Sequence, residues 1–179
     1  LLTLYYSMVD CHLTYCSQIY SCGMESAIQP IVLQQKKAIR LICKAKYNEH
    51  TEPLFKKKRI LPLTELVRIT KLQFMYDFKW QKAPISFQGV WITNEDRLFE
   101  IRNLRTVSNE LYVPVSRLKR LEKMPLYDFP RLWNEIDESI KSSETRKTFT
   151  QALKNDVFES LNSTKKCDRI FCYVCSNNA

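Results

Sequence analysis

Apolar residues return at helical spacing through most of the chain, and this pattern predicts a mostly α fold. Over residues 1 to 20, Leu4, Met8, Cys11 and Tyr15 recur every three or four positions, which predicts a buried helix ended by Cys22 and Gly23. A longer amphipathic helix follows. Ser26 and Gln29 have capping-box spacing, but Pro30 lets regular helix start as late as residue 30. From there to about Lys46, Ile28, Ile31, Val32, Ile39 and Ile42 share one face, and Lys37, Arg40 and Lys44 line the opposite one. Thr51 to Phe55 reads as a short helical turn, and Pro62 as the first position of a helix reaching about Trp80. That helix is apolar almost all round: Leu63, Leu66, Val67, Phe74 and Phe78 form one stripe, and Ile69, Leu72, Met75 and Tyr76 fill much of the rest. It is therefore expected to be the central helix.

Helical periodicity fades over residues 85 to 125, where a short β-hairpin around Tyr112 to Val115 is the one strand element the pattern allows. Glu95-Asp96 reads as a turn or cap, and Trp91 and Trp133 as packing anchors. Phe129 to Trp133 begins a short helix. Ser142 or Ser143 caps a last one, with Phe149, Ala152, Leu153 and Val157 facing the core. The expectation is a helical bundle with a loop-rich middle, in four parts: a helical region with a basic surface at 1–82, an irregular connector at 83–126, C-terminal helices at 127–162 and a cysteine-bearing tail at 163–179.

Composition narrows the function classes. In 179 residues there are only two glycines, too few for the phosphate-cradling loops of Walker or dinucleotide folds. No apolar run is long enough to span a membrane, and the N-terminal stretch, interrupted by Asp10 and His12, lacks the form of a signal peptide, so an intracellular, nuclear or cytoplasmic location without a membrane partner is expected. The dense apolar opening at Leu1 suggests the remainder of something longer. The net charge is +9, and most of the excess is local: between Gln35 and Arg59 stand nine basic residues, Lys36, Lys37, Arg40, Lys44, Lys46, Lys56, Lys57, Lys58 and Arg59, against Glu49 and Glu52. Arg68, Lys71 and Lys79 continue the basic series along the next helix. A localised cationic surface of this kind fits the phosphate backbone of a nucleic acid, with no small-molecule substrate implied. Tyr47, Phe55, Phe74 and Trp80 interleave with it as candidate stacking rings, most of them expected in the core.

Several segments, in unbroken order over roughly residues 1 to 175, resemble the region after the polymerase core in non-LTR retrotransposon reverse transcriptases of the jockey and related animal types. They are Leu4-Tyr5-Tyr6-Ser7 with His12-Leu13-Thr14-Tyr15-Cys16; Leu33 to Ile42; His50 to Phe55; Ile60 to Leu63; Phe74-Met75-Tyr76; Arg102-Asn103 with Tyr112 and Pro114; and Pro130, Trp133-Asn134, Ile136, Ile140-Lys141, Ser143, Phe149 and Leu153-Lys154. Ile101 departs from the pattern, which usually has threonine there. The resemblance implies a thumb and following helices that hold template and product strand, with RNA or an RNA–DNA hybrid and the polymerase palm as partners. Mg²⁺ is expected only in that separate catalytic part.

Candidate chemistry in the chain itself is sparse. Two-metal polymerisation needs clustered carboxylates, which the family supplies partly from an adjacent Asp-Asp pair, and no such pair occurs here. The chain is thus expected to be non-catalytic alone, with no catalytic residue. A Cys11-His12 dyad is weighed against a structural histidine, which is preferred; Cys11, Cys16, Cys22 and Cys43 lie on apolar stretches and read as small hydrophobes. In the tail, Cys167, Cys172 and Cys175 include the C-x2-C spacing of a zinc knuckle arm, among Lys165, Lys166 and Arg169. Zinc there needs a fourth ligand, from His50 or Cys22; otherwise the tail carries free thiols. The competing reading is an α-helical interaction module docking through the apolar central helix.

Overall fold

The computed structural model describes residues 1–98 and 110–162. Their regular structure is helical, with no strand among the described residues and one isolated antiparallel bridge, Thr93 to Leu111. Helices α1 (Leu2–Tyr5), α2 (Cys11–Thr14), α3 (Ser17–Tyr20), α4 (Glu25–Cys43), α5 (Glu52–Lys58), α6 (Leu63–Lys79), α7 (Asn94–Leu98), α8 (Pro125–Asn134), α9 (Glu138–Lys141) and α10 (Arg146–Asn162) follow in chain order. The described residues form two compact units, 1–67 with 153–162, and 68–98 with 110–152. Helices α6 and α10 each contribute to both units.

In the first unit the opening helix differs from its expected form. A π-helical turn, Tyr6–Asp10, joins α1 to α2, and the chain breaks at Cys16, which takes a left-handed φ of 51°. Tyr20 spans the break by donating its hydroxyl to the Leu13 carbonyl. The buried side is Tyr5 and Leu13, with Val9 partly buried between them, a repeat of four that the wider π turn allows. Leu4, Met8 and Tyr15, the expected core stripe, are 56%, 64% and 76% exposed, and the Cys11 and Cys16 thiols are exposed as well. A segment with apolar residues on more than one side cannot reveal from spacing which stripe turns inward.

Helix α4 starts at Glu25, earlier than Pro30 suggested, and Ser26 lies inside it without acting as a cap. Pro30 sits near the N-terminus, where the carbonyl it leaves unpaired belongs to exposed Ser26 and can be hydrated. Val32, Gln35 and Ile39 form the inner face of α4. Ile39 joins Tyr5, Leu54, Phe55 and Ile60 in one core cluster, and Val32 joins Leu13 and Leu63 in another. Gln35, only 1% exposed, ties these parts together: its Nε2 donates to the Tyr5 hydroxyl and the Leu61 carbonyl, both at 2.9 Å, and its Oε1 accepts from the Leu63 N–H at 2.8 Å. One buried amide thereby satisfies an orphan donor at the start of α6. Burial pushes the Tyr5 phenol up to about 12, with the Gln35 hydrogen bond opposing the shift. Pro62 precedes α6, its carbonyl accepting from Leu66 N–H at 3.0 Å, so it stands one place outside the position expected of it.

The second unit is built on aromatic packing. Phe74, Phe78, Phe87, Trp91 and Phe129 contact one another edge-on or stacked, while Tyr76 stacks on Phe149 at 4.7 Å and Trp133 lies 5.9 Å from Phe149. Trp91 and Trp133 are buried anchors. The expected hairpin is absent: Tyr112 to Val115 has no strand, and the bridging residue Leu111 has its N–H and carbonyl held by the Asn134 side chain at 3.0 and 2.8 Å. Caps also differ in detail. Thr145 and Thr148 exchange side chain to backbone bonds and start α10 at Arg146, later than Ser142 or Ser143, and Thr93 with Asp96 forms the same kind of box at α7.

Candidate nucleic-acid interface

The amphipathic pattern of α4 places its cations outward. Gln34, Lys37, Leu41 and Lys44 form the exposed stripe opposite Val32, Gln35 and Ile39, and Lys37 and Lys44 stand two turns apart, about 10 Å along the axis. Lys44 caps the helix in the left-handed region, φ 53°, where its charge also complements the carbonyl end of the helix. Beyond it the chain is tightly tied. Ala45 N–H reaches the Arg40 carbonyl at 2.9 Å, Arg40 Nε donates to the Glu49 carbonyl at 2.9 Å, and Lys46 N–H meets Glu49 Oε2 at 3.2 Å. Arg40 thus holds the loop in place.

Helix α5 packs Leu54 and Phe55 into the core shared with α4 and turns its basic end outward. Lys56 pairs with Glu52 at 3.2 Å, Lys57 is exposed, Lys58 is half-buried, and Arg59 caps α5 with φ 51°. The Arg59 guanidinium lies 5.1 Å from the Phe158 ring centre, beside an open depression of about 320 Å³ that Glu159 also lines. An acid in that depression lowers its value as a phosphate site. Lys36 is half-buried and engaged. Lys37, Lys44, Lys46 and Lys57 in this unit are exposed and have no ion pair among the described residues, and exposed Arg59 is engaged by the Phe158 ring instead.

Lys71 is a correction. It is 5% exposed, and its ammonium lies 2.7 Å from Asp128 Oδ2, while Arg131 holds the other carboxylate oxygen at 2.6 Å. A buried, paired ammonium serves the second unit's interior and cannot also track a phosphate. Of the interleaved aromatics, Phe55 is core and Phe74 belongs to the aromatic cluster, Trp80 packs on Tyr76, and Tyr47 is 81% exposed. The sequence reading missed Arg117, Lys119, Arg120 and Lys123, all exposed just before α8. Their density, four cations against Glu122 in seven positions, was the available signal.

The Cys11 thiol donates to the Ser7 carbonyl at 2.8 Å, so its proton is directed to the backbone and not to the imidazole of exposed His12. Burial raises the Asp10 carboxyl above its ordinary range, and the nearby charge of Lys154 lowers it in part. No group of three or more potential metal ligands occurs among the described residues, and Cys167, Cys172 and Cys175 lie outside them. No helix among the described residues is long and apolar enough to cross a membrane. No family model, curated protein or solved structure matches the chain.

Proposed function

We propose that this chain is the part of a jockey-like retrotransposon reverse transcriptase that follows the catalytic palm, and that it binds the backbone of RNA or an RNA–DNA hybrid without reading sequence. The observation that carries the binding role is a group of exposed cations without ion pairs: Lys37 on α4, Lys44 at its cap, Lys46 in the turn after it and Lys57 on α5, where the opposite faces of both helices are buried. Ammonium groups so placed neutralise phosphates and release condensed counterions, and they carry no base specificity. With no adjacent aspartates in the chain, polymerisation on this reading belongs to the separate palm, where Mg²⁺ would sit.

The test replaces Lys37, Lys44, Lys46 and Lys57 together by Gln. Arg40 is spared because it pins the loop after α4. Fluorescence anisotropy with labelled RNA at low salt is expected to show binding lost while far-UV circular dichroism stays as in the parent. Equal affinity in both proteins rejects the assignment.

The second reading, a protein-docking module, takes support from a different helix than the central one. On α6, Leu63, Leu66, Ile69, Leu72, Met75 and Tyr76 are buried, which leaves no apolar stripe for a partner. The exposed Leu4, Met8 and Tyr15 would serve instead, and on the first reading they are the surface facing the palm.

A further inference from the structure

We infer that Tyr47 is a stacking platform for an unpaired base, so that the strand engaged beside α4 is single-stranded. The inference rests on the backbone-binding reading above and specifies its ligand. Tyr47 is 81% exposed, and no ring or cation packs on it among the described residues. Trp80, an exposed ring with Lys79 and Lys82 near it in the chain, packs against Tyr76.

The support beneath Tyr47 is fixed. Glu49 N–H returns to the Lys46 carbonyl at 3.0 Å, which places Tyr47 and Asn48 at the two corners of a turn. The same turn is closed by Lys46 N–H on Glu49 Oε2 and by Arg40 Nε on the Glu49 carbonyl, and Ala45 packs into the core just before it. Asn48 suits a turn corner for its own reasons, but nothing in the turn requires an aromatic at Tyr47. A ring held out on a pinned turn loses little freedom when a flat partner covers it. Lys44 and Lys46, just before Tyr47 in the chain and both exposed, supply charge for a phosphate beside such a base. In a duplex the faces of the bases are already stacked on one another, so a ring at a turn tip gains its contact only from an unpaired strand.

The experiment measures anisotropy of a labelled uridine oligonucleotide and of an RNA duplex of equal length against the full chain, Tyr47→Ala and Tyr47→Phe. Stacking predicts that Tyr47→Ala weakens single-strand binding about five- to a hundredfold and leaves duplex binding within about twofold, while Tyr47→Phe matches the parent. Single-strand binding unchanged in Tyr47→Ala, but lost in the four-lysine variant, overturns the stacking role and leaves backbone binding standing. Equal losses for single strand and duplex also overturn it. If the parent chain binds neither form, both readings fall.

Discussion

Gln35 offers the sharpest test of how the first unit is held together. Replacing it with Met keeps side-chain length and removes three hydrogen bonds, leaving the Leu63 N–H, the Leu61 carbonyl and the Tyr5 hydroxyl without that partner in a site where Gln35 itself is 1% exposed. Each stranded buried group costs about 1–3 kcal/mol, so allowing for partial relaxation the loss should be about 3–5 kcal/mol, a large share of a typical domain's stability. Urea titration followed by far-UV circular dichroism at pH 7 measures it, with the denaturant slope expected to stay constant. Gln35→Glu adds a pH arm. Its carboxylate keeps the bond from Leu63 N–H but faces the Leu61 carbonyl as a buried charge, so this variant should be weak at pH 7 and regain stability as the pH falls and the group protonates. A loss below about 1 kcal/mol in Gln35→Met, or no acid recovery in Gln35→Glu, would refute this account of the clamp.

Asp128→Ala leaves the Lys71 ammonium buried without its partner and should cost about 3–5 kcal/mol in a urea melt, with Lys71→Met in the same background recovering much of it. Tyr5 has a folded-state pKa raised from 10.0 to about 12, so the folded state holds its proton more tightly and stability should fall as pH rises through that window. Tyr5→Phe removes this contribution, and urea midpoints at alkaline pH should therefore decline less steeply in the variant. Gln81 adopts φ 55° after α6, and Gln81→Gly should raise stability by about 0.5–1 kcal/mol; an unchanged melting temperature would contradict the strain.

How far the sequence spoke for itself varies with how local each interaction is. The α6 helix was legible because apolar residues recur around it without a breaker, and the outward cations of α4 because Val32 and Ile39 fix the opposite face. The N-terminal face was not legible, since apolar residues on more than one side of the segment offer two stripes and the π turn at Tyr6–Asp10 selects the one spaced by four. Lys71 reads as a surface cation until Asp128, 57 residues later, is placed beside it. The hairpin expected near Tyr112 is replaced by distant partners in a similar way: Tyr112 N–H bonds the Ile92 carbonyl, Asn94 N–H the Glu110 carbonyl, and Asn134 satisfies the Leu111 backbone from 23 residues away. Helix ends were obscured by the shortage of glycine: Cys16, Lys44, Arg59 and Gln81 occupy left-handed positions where glycine would have marked the stop. At the candidate interface, sequence gave the basic cluster, but only the fold separates the exposed Lys37, Lys44, Lys46 and Lys57 from the paired Lys56 and the buried Lys71.

The salt dependence of RNA binding tests the central claim most directly. Plotting log affinity against log salt for the parent chain and the four-lysine variant on single-stranded RNA should give a steep negative slope for the parent. The variant's slope should be flatter by about 3, at roughly 0.7 for each phosphate contact removed. Affinity indifferent to salt, or one slope shared by both proteins, would contradict a backbone-binding surface at these lysines.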